Sequence, residues 1–514
     1  MKKILSCLLA LTLLLTAMAP LAMAEGAPVT LTAITNLHPS TLDLETLPIY
    51  QQIGEKVGVD VDWEYYRADW DAKKSLILAS GDLPDFFFGR DTLTAQDIQL
   101  NLESFLPLDD LIDQYAPNIK KMFEEQPATR DINVFPDGKI YALPHYMPAR
   151  PAHFGSMFIN TAWLEKLGLA MPTTLEELNE VARAFVTKDP NGNGKNDEIG
   201  FAFSSIKDAN FGARVFLGVF GVHDSMDSWL ALDGNGKVIY NPATTGYKDF
   251  VAWLSYLYAE GLMDREVLTH DFAQFKAKTR RSEEEISGIQ CGWELSQMGN
   301  DHYGMLLPVK GPNGDQFYSA NSIMNKMGPD NYCSFAITAD CKDPVAAIKW
   351  ADQFYSDEFA LQAYYGAYDV CLKQNEDGTI ERIAPEGQSL DSWTWTNSMN
   401  DKFVGYVSPE MESKLIFTDP YSQKGQGKLD FDKAYAPYMD ESFVYPTTIL
   451  PTEDAEEAAS IKTDLESITD TFTAQWIADG GVKEQWDAYL AELERAGLSR
   501  YLEIYQAAYD AKNQ

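Results

Sequence analysis

The chain has 514 residues, 45% of them hydrophobic and 12% aromatic, so it has ample material for buried cores and for two or three domains, or two lobes sharing one chain. Its 77 acidic against 41 basic residues leave a formal net charge of −36. So acidic a surface argues against a nucleic-acid partner, because a phosphate backbone needs a positive face.

The first residues carry a targeting pattern. Lys2 and Lys3 precede an apolar run from Ile4 to Leu15, and "AMA" at 22–24 supplies small residues for cleavage. This predicts a secretory signal peptide over residues 1–24, cleaved near Ala24; the run is too short and wrongly flanked for a membrane anchor. Cys7 lies near the start of the run rather than at its end, which favours cleavage over a lipid anchor. The expected location is a periplasm, the cell surface or the extracellular medium. Of the later cysteines, Cys291, Cys333, Cys341 and Cys371, none has zinc-site spacing; a Cys333–Cys341 pair and buried free thiols both fit an oxidising compartment.

After the leader, "APVTLTAIT" reads as a strand. "LPIYQQIGEKVG" is a helix ending near Gly58, and Val59 to Tyr65 alternates as a second strand. The helix "DWDAKKSLILASGD" leads through Pro84 into the apolar strand "DFFFG", an alternation that predicts a parallel sheet flanked by helices. "DGKIYALP" at 137–144 reads as a turn and a strand. A second α/β region begins after Pro151, with Thr174 and Glu177 forming a capping box for an amphipathic helix. "NYCSFAIT" is a further strand opening onto the helix "DPVAAIKWADQFYSDEFALQAYY", and the C-terminal part is helical. No internal repeat or long linker separates these pieces, so two intertwined α/β lobes fit better than three beads.

The stretches "EKVGVDVDWEYY…DWDAKKSLILASGDLPDFFFG", "DGKIYALP", "NTAWLEKLGLAMPTTLEELNEVARAFVTKDPNGNGKNDEIGF" and "LSRYLEIYQAAYD" resemble the family 1 extracellular solute-binding proteins, in particular their large oligosaccharide- and alginate-binding members. The resemblance runs from about Thr30 to Asp510. It implies a two-lobed periplasmic-binding fold (type II-like) whose lobes are joined by crossing strands around a ligand cleft. One lobe would take residues 25–147 and about 333–420, the other 148–332 and about 421–514. It further implies a monomer that performs no chemistry, captures an oligosaccharide and hands it to the permease subunits of an ABC importer. Two departures stand out: the family usually carries a lipobox, and relatives commonly have Arg and Asp after the Ile of "INTAWL" at 159–164.

In "DPNGNGKNDE", Asp189, Asn191, Asn193, Lys195 and Asp197 occupy positions 1, 3, 5, 7 and 9 of an EF-hand loop, with Gly194 at the turn position. Lys195 would offer its backbone carbonyl. Position 12 is Gly200 instead of a bidentate Glu, and Glu198 is the expected substitute. All the donors are hard oxygens, which favours Ca2+ over zinc or copper. An Asx-rich turn that binds nothing is the rival reading. A helix before the loop and a strand after it would make the ion a structural pin, since a sensor hand needs two helices. The resemblance supports the same six residues, because the alginate-binding relatives carry a calcium site on this pattern.

Sugar sites combine aromatic platforms with a few polar groups, and in α/β folds they lie at strand ends. Trp293, at the strand-to-helix junction "CGWELSQ", matches the stacking Trp of the family and is the leading candidate. Arg90 and Asp91 follow "DFFFG", where maltose-binding proteins place polar sugar contacts; a capping Asp and a solvated Arg are the alternative. Tyr141, His145 and Tyr146 fall at the expected first crossing between lobes, with a structural histidine the plainer reading of His145. Trp393 and Trp395, in "LDSWTWTNSM", either line the cleft or form a buried staple.

A secreted glycoside hydrolase would share the acidity and the aromatic content, using two carboxylates about 5–10 Å apart. With 77 acidic residues some pair can always be nominated, so that signal carries little weight. No GxSxG, HExxH, P-loop or GxGxxG occurs. A ligand-presenting sensor or a peptide binder is the third reading.

Overall fold

A computed structural model of the chain describes residues 28–225, 229–280, 284–327 and 333–512; the signal-peptide segment with Cys7 lies outside the described residues. Strand β1 (Val29–Asn36) leads to helix α1 (Pro48–Val57), which has Pro48 in its first turn and ends on Gly58 in the left-handed conformation at φ 69°. Strand β2 (Val59–Tyr66), helix α2 (Trp70–Ser80) and strand β3 (Phe86–Phe88) follow, and β1 pairs in parallel with both β2 and β3. This is the βαβ alternation the sequence predicts.

Beyond residue 147 the chain builds a second unit. Strand β4 (Ser156–Asn160) is wholly buried, and the Asn160 side chain caps helix α3 (Thr161–Leu167) by accepting from the Trp163 N–H. Helix α4 (Leu175–Thr187) starts on the predicted Thr174–Glu177 capping box and buries Leu178, Ala182 and Phe185. Strand β5 (Ile199–Ala202) comes next, then the hairpin of β6 (Leu230–Leu232) and β7 (Val238–Tyr240), helix α5 (Thr245–Ala259), β8 (Ser287–Gly292) and β9 (Tyr303–Met305). The order of this sheet is β5-β8-β4-β9, and only the β5–β8 pair is parallel. The second sheet is therefore mixed, because β4 is flanked on both sides by antiparallel partners.

Strand β10 (Phe335–Ile337) then returns to pair antiparallel with β3, completing a first sheet of order β10-β3-β1-β2. The expected single helix after it is two: α6 (Pro344–Gln353) and α7 (Ala360–Tyr365). The break falls where the backbone tightens, with the Phe354, Tyr355 and Ser356 N–H groups each bonding three residues back. "DGKIYALP" also departs from expectation, since Ile140 and Leu143 make isolated bridges to Val134 and Phe335 and no ladder forms. Helices α8 (Leu390–Asn397) and α9 (Lys428–Tyr435) precede a C-terminal group of α10 (Thr452–Asp479), α11 (Val482–Arg495) and α12 (Leu498–Lys512).

Burial divides these elements into two hydrophobic cores. One draws its buried residues from 31–147 and 327–407, the other from 157–318 and 431–504. The chain thus passes between them three times. The passages are bonded to one another: Asn321 N–H donates to Ala152 O at 2.9 Å, the Asn325 amide donates to Pro151 O at 2.8 Å and His153 O at 2.6 Å, and Tyr146 N–H donates to Gly405 O at 2.8 Å. Two α/β bodies joined by three stitched crossings form a two-lobed periplasmic-binding fold. Cys291, Cys341 and Cys371 are free thiols, so the Cys333–Cys341 pairing is absent.

The first core is organised on Trp350, 1% exposed, whose ring lies 5.4 Å from Phe86, 5.4 Å from Phe88 and 4.8 Å from Phe354. Replacing Trp350 with Ala removes those contacts and leaves a cavity, so denaturant unfolding should report a loss of about 3–5 kcal/mol. An unchanged midpoint would contradict the placement of that core.

Candidate functional site

A cavity of about 590 Å³ opens between the two cores. Tyr364 and Tyr365 from α7, with Arg382, Trp395 and Asn400, line it from the first. Trp293, Glu294 and Gln297 face them from the second, while Arg150 enters from the first crossing and Lys428 from α9 after the third.

Trp293 sits where the sequence places it, one residue beyond β8. All six β8 residues are buried, and a Cβ at Gly292 would come within 2.8 Å of the Phe158 ring, so the strand ends where the chain can turn outward. The Gln297 side chain fixes the turn by accepting from the Trp293 N–H at 3.0 Å. Arg150 lies 5.0 Å and Lys428 5.5 Å from the indole centroid, so cations occupy its neighbourhood by cation–π attraction.

Trp393 and Trp395 lie on helix α8. Two residues on a helix are turned by about 200°, so the rings point apart. Trp395 lines the cavity, its ring edge-on to His38 at 5.6 Å, while the Trp393 indole N–H donates backward to Val370 O at 2.8 Å. The other candidates lie off the cavity wall. Arg90 donates to Asp401 O at 2.6 Å, behind Asn400, and Asp91 is exposed at φ 65° with its carboxylate 3.6 Å from Lys402. Tyr141 donates to Asp137 at 2.8 Å and packs edge-on against Phe135. His145 is fully buried, with Nδ1 2.6 Å from Ser334 Oγ, the structural histidine of the plainer reading. Tyr146 packs edge-on against Tyr406 under Lys326. These residues of 141–146 serve the first core instead of the cleft.

Sequence reasoning missed Arg150, Tyr364, Tyr365, Arg382 and Lys428. No motif marks them; three-dimensional convergence alone does. Burial would push the Tyr364 hydroxyl up, but Arg150, Lys428 and Arg90 outweigh it and bring it down to about 8. Burial holds Tyr365, beside it, above the ordinary value, with Tyr364 adding to the effect. The cleft therefore combines aromatic rings, amides, carboxylates and cations in a form suited to binding a polar ligand with apolar faces.

The Asp/Asn loop lies apart from the cleft, between α4 and β5. Asp189 stands at φ 46°, and its carboxylate accepts from the Gly192 N–H at 2.8 Å and the Gly194 N–H at 3.1 Å. The Asn191 and Asn193 amides converge on Asp197 at 3.3 and 3.2 Å. The Lys166 ammonium anchors the loop from outside by donating to Pro190 O at 2.6 Å. Both carboxylate oxygens of Glu198 are buried and have no hydrogen-bond partner, and burial, with Asp189 and Asp197, raises its carboxyl above the usual range. A buried carboxylate without partners, facing further oxygen donors, fits a hard cation. A second cluster, Asp264, Glu266 and His270, was not singled out from sequence; Lys278 already answers its charge, at 3.0 Å from Asp264 and in contact with Glu266.

Residues 45–360 match the model of the family described as bacterial extracellular solute-binding protein. The chain belongs to this family of substrate-binding proteins, whose members act outside the cytoplasm, and no described helix is long and apolar enough to cross a membrane. Among its relatives is the fructooligosaccharide ABC transporter substrate-binding protein FusA of Streptococcus pneumoniae, 31% identical over 500 residues, covering 93% of this chain and 89% of FusA. The structure of FusA in complex with kestose superposes with a TM-score of 0.82 at 28% identity, over 94% of this chain and 99% of that one. A FusA EF-hand mutant in complex with fructo-nystose gives 0.81 at 28% identity over the same shares.

The cations around Tyr364 give a direct optical test. Absorbance at 295 nm should show one phenolate forming near pH 8, ahead of the remaining tyrosines. Replacing Arg150 with Met removes a positive neighbour, so that transition should move upward; an unmoved transition would contradict the assignment.

Proposed function

We propose that this protein is an extracytoplasmic receptor that captures an oligosaccharide between its lobes, as a monomer, and presents it unaltered to the permease subunits of an ABC importer. The observation that carries this reading is the cleft wall: Trp293 and Trp395 stand on opposite cores around one cavity, with Gln297, Asn400 and charged groups between them. Aromatic faces match the C–H faces of sugar rings, and the polar groups match their hydroxyls. The similarity to FusA, whose structure holds kestose, supports a saccharide ligand and binding over hydrolysis. The lobes are taken as 25–147 with 333–420 and 148–332 with 421–514, a division supported by the membership of the two cores. Export by a signal peptide cleaved near Ala24, without a lipid anchor, completes the reading.

The loop at 189–198 would hold Ca2+ through Asp189, Asn191, Asn193, the Lys195 carbonyl, Asp197 and Glu198, and the EF-hand of FusA supports it. Bound there, the ion supplies positive charge to a carboxylate cluster. Helix α4 ends at Thr187 and β5 starts at Ile199, so the loop joins a helix to a strand, and its ion would pin that connection.

Isothermal titration against an oligosaccharide panel, with product analysis, tests capture. Binding without released monosaccharide is expected, and hydrolysis would overturn the reading. Trp293→Ala should cost at least about tenfold in affinity, or 1.4 kcal/mol, with the melting temperature kept; unchanged affinity would remove Trp293 from the site. Calcium at one hundred times its Kd should stabilise the protein by about 2.7 kcal/mol. A chelator should reverse this, and Glu198→Gln should weaken it. A melting temperature indifferent to calcium and chelator would contradict the metal site.

A further inference from the structure

The charges on the cleft wall are unevenly answered. Its four carboxylates have local partners: Asp391 pairs with Arg382 at 2.7 Å, Asp430 with Lys433 at 3.5 Å, Asp419 caps a helical turn through the Tyr421 and Ser422 N–H groups, and Glu294 accepts from Ser296 at 2.8 Å. Arg150 and Lys428 have no carboxylate within ion-pair distance among the described residues. Among the described residues, the hydrogen bonds of Arg150 go to the Tyr364 hydroxyl at 3.2 Å and the Met147 sulfur at 3.5 Å, and its Nε is buried without a hydrogen-bond partner. Both cations flank the same indole, Trp293, and both bear on the same phenol, Tyr364.

Two like charges gathered at the floor of a closing cleft cost free energy, and that cost grows as water leaves. A neutral sugar would leave it standing, whereas an anionic group removes it and gains charge-assisted hydrogen bonds. We propose, resting on the oligosaccharide-capture reading, that the ligand is an acidic oligosaccharide whose carboxylate is received by Arg150 and Lys428 beside Trp293. The condition of the site without ligand agrees. Burial and the neighbouring Arg150 lower the Lys428 ammonium, and the Tyr364 hydroxyl is drawn toward its anion as if to supply the missing charge. In a chain of net charge −36, a pair of cations with no carboxylate partner at the ligand site is a local inversion that a merely solvated surface does not need.

The test uses matched pairs: oligomers of galacturonate, glucuronate-bearing xylan and mannuronate, each beside its carboxyl-reduced neutral counterpart, with a fructo-oligosaccharide as a further neutral arm. Titration calorimetry on the full-length chain should find at least one uronate bound about tenfold or more tighter than its reduced partner. Arg150→Met and Lys428→Met should each erase most of that preference while melting as the parent does. If a variant fails to fold, the matched pairs on the parent chain decide alone. Binding of neutral oligosaccharides with no acidic preference overturns the inference and leaves capture intact. Binding of no saccharide at all overturns both.

Discussion

The carboxylate of Asp432 fixes the point where the first crossing enters the second lobe. One of its oxygens accepts from the Ala152 N–H at 2.8 Å, the His153 N–H at 3.2 Å and His153 Nδ1 at 3.0 Å, and so ties α9 to the first crossing. Burial works against its charge, but the bonds from His153 and Ala152 outweigh that and hold the carboxyl below its usual range. Helix α9 carries Lys428, Phe431, Asp432 and Tyr435 on one face, at the i, i+3, i+4, i+7 spacing. Phe431 and Tyr435 are rooted in the second core, Asp432 grips the crossing, and Lys428 is delivered to the cleft.

Dividing the apolar residues between two cores has a direct functional consequence. Each sheet satisfies its own hydrogen bonds and each core its own packing, so the space between them is lined mostly by polar and charged side chains outside the cores, with Tyr364 and Tyr365 presented from the edge of the first. Such a cleft can be polar and charged without destabilising either body, and its walls can approach or part with little change inside the lobes. The calcium-type loop fits this division of labour. It lies within the second unit, between α4 and β5, and none of its residues lines the cavity.

Much of the fold was legible because local signals agreed with tertiary ones. The β1-α1-β2-α2-β3 alternation, the Gly58 cap and the Thr174–Glu177 capping box are all short-range features. Trp293 was legible for the same reason, since a strand end is a local property. The register of the second sheet was not, because antiparallel flanking of β4 depends on partners far along the chain. Tyr141, His145 and Tyr146 were drawn to the site by their place at the expected first crossing, yet their surroundings in the first core take up their polar atoms and rings. Arg150, Tyr364 and Lys428 lie more than 60 residues apart in sequence and meet only because the crossings bring them together.

Capture between the lobes requires one ligand to be held by both bodies at once. Hydrogen–deuterium exchange with and without a bound oligosaccharide addresses this directly. It predicts simultaneous protection at 293–297 and 428–433 on one side and at 364–365 and 394–400 on the other. Protection confined to segments of a single core would contradict capture between the lobes.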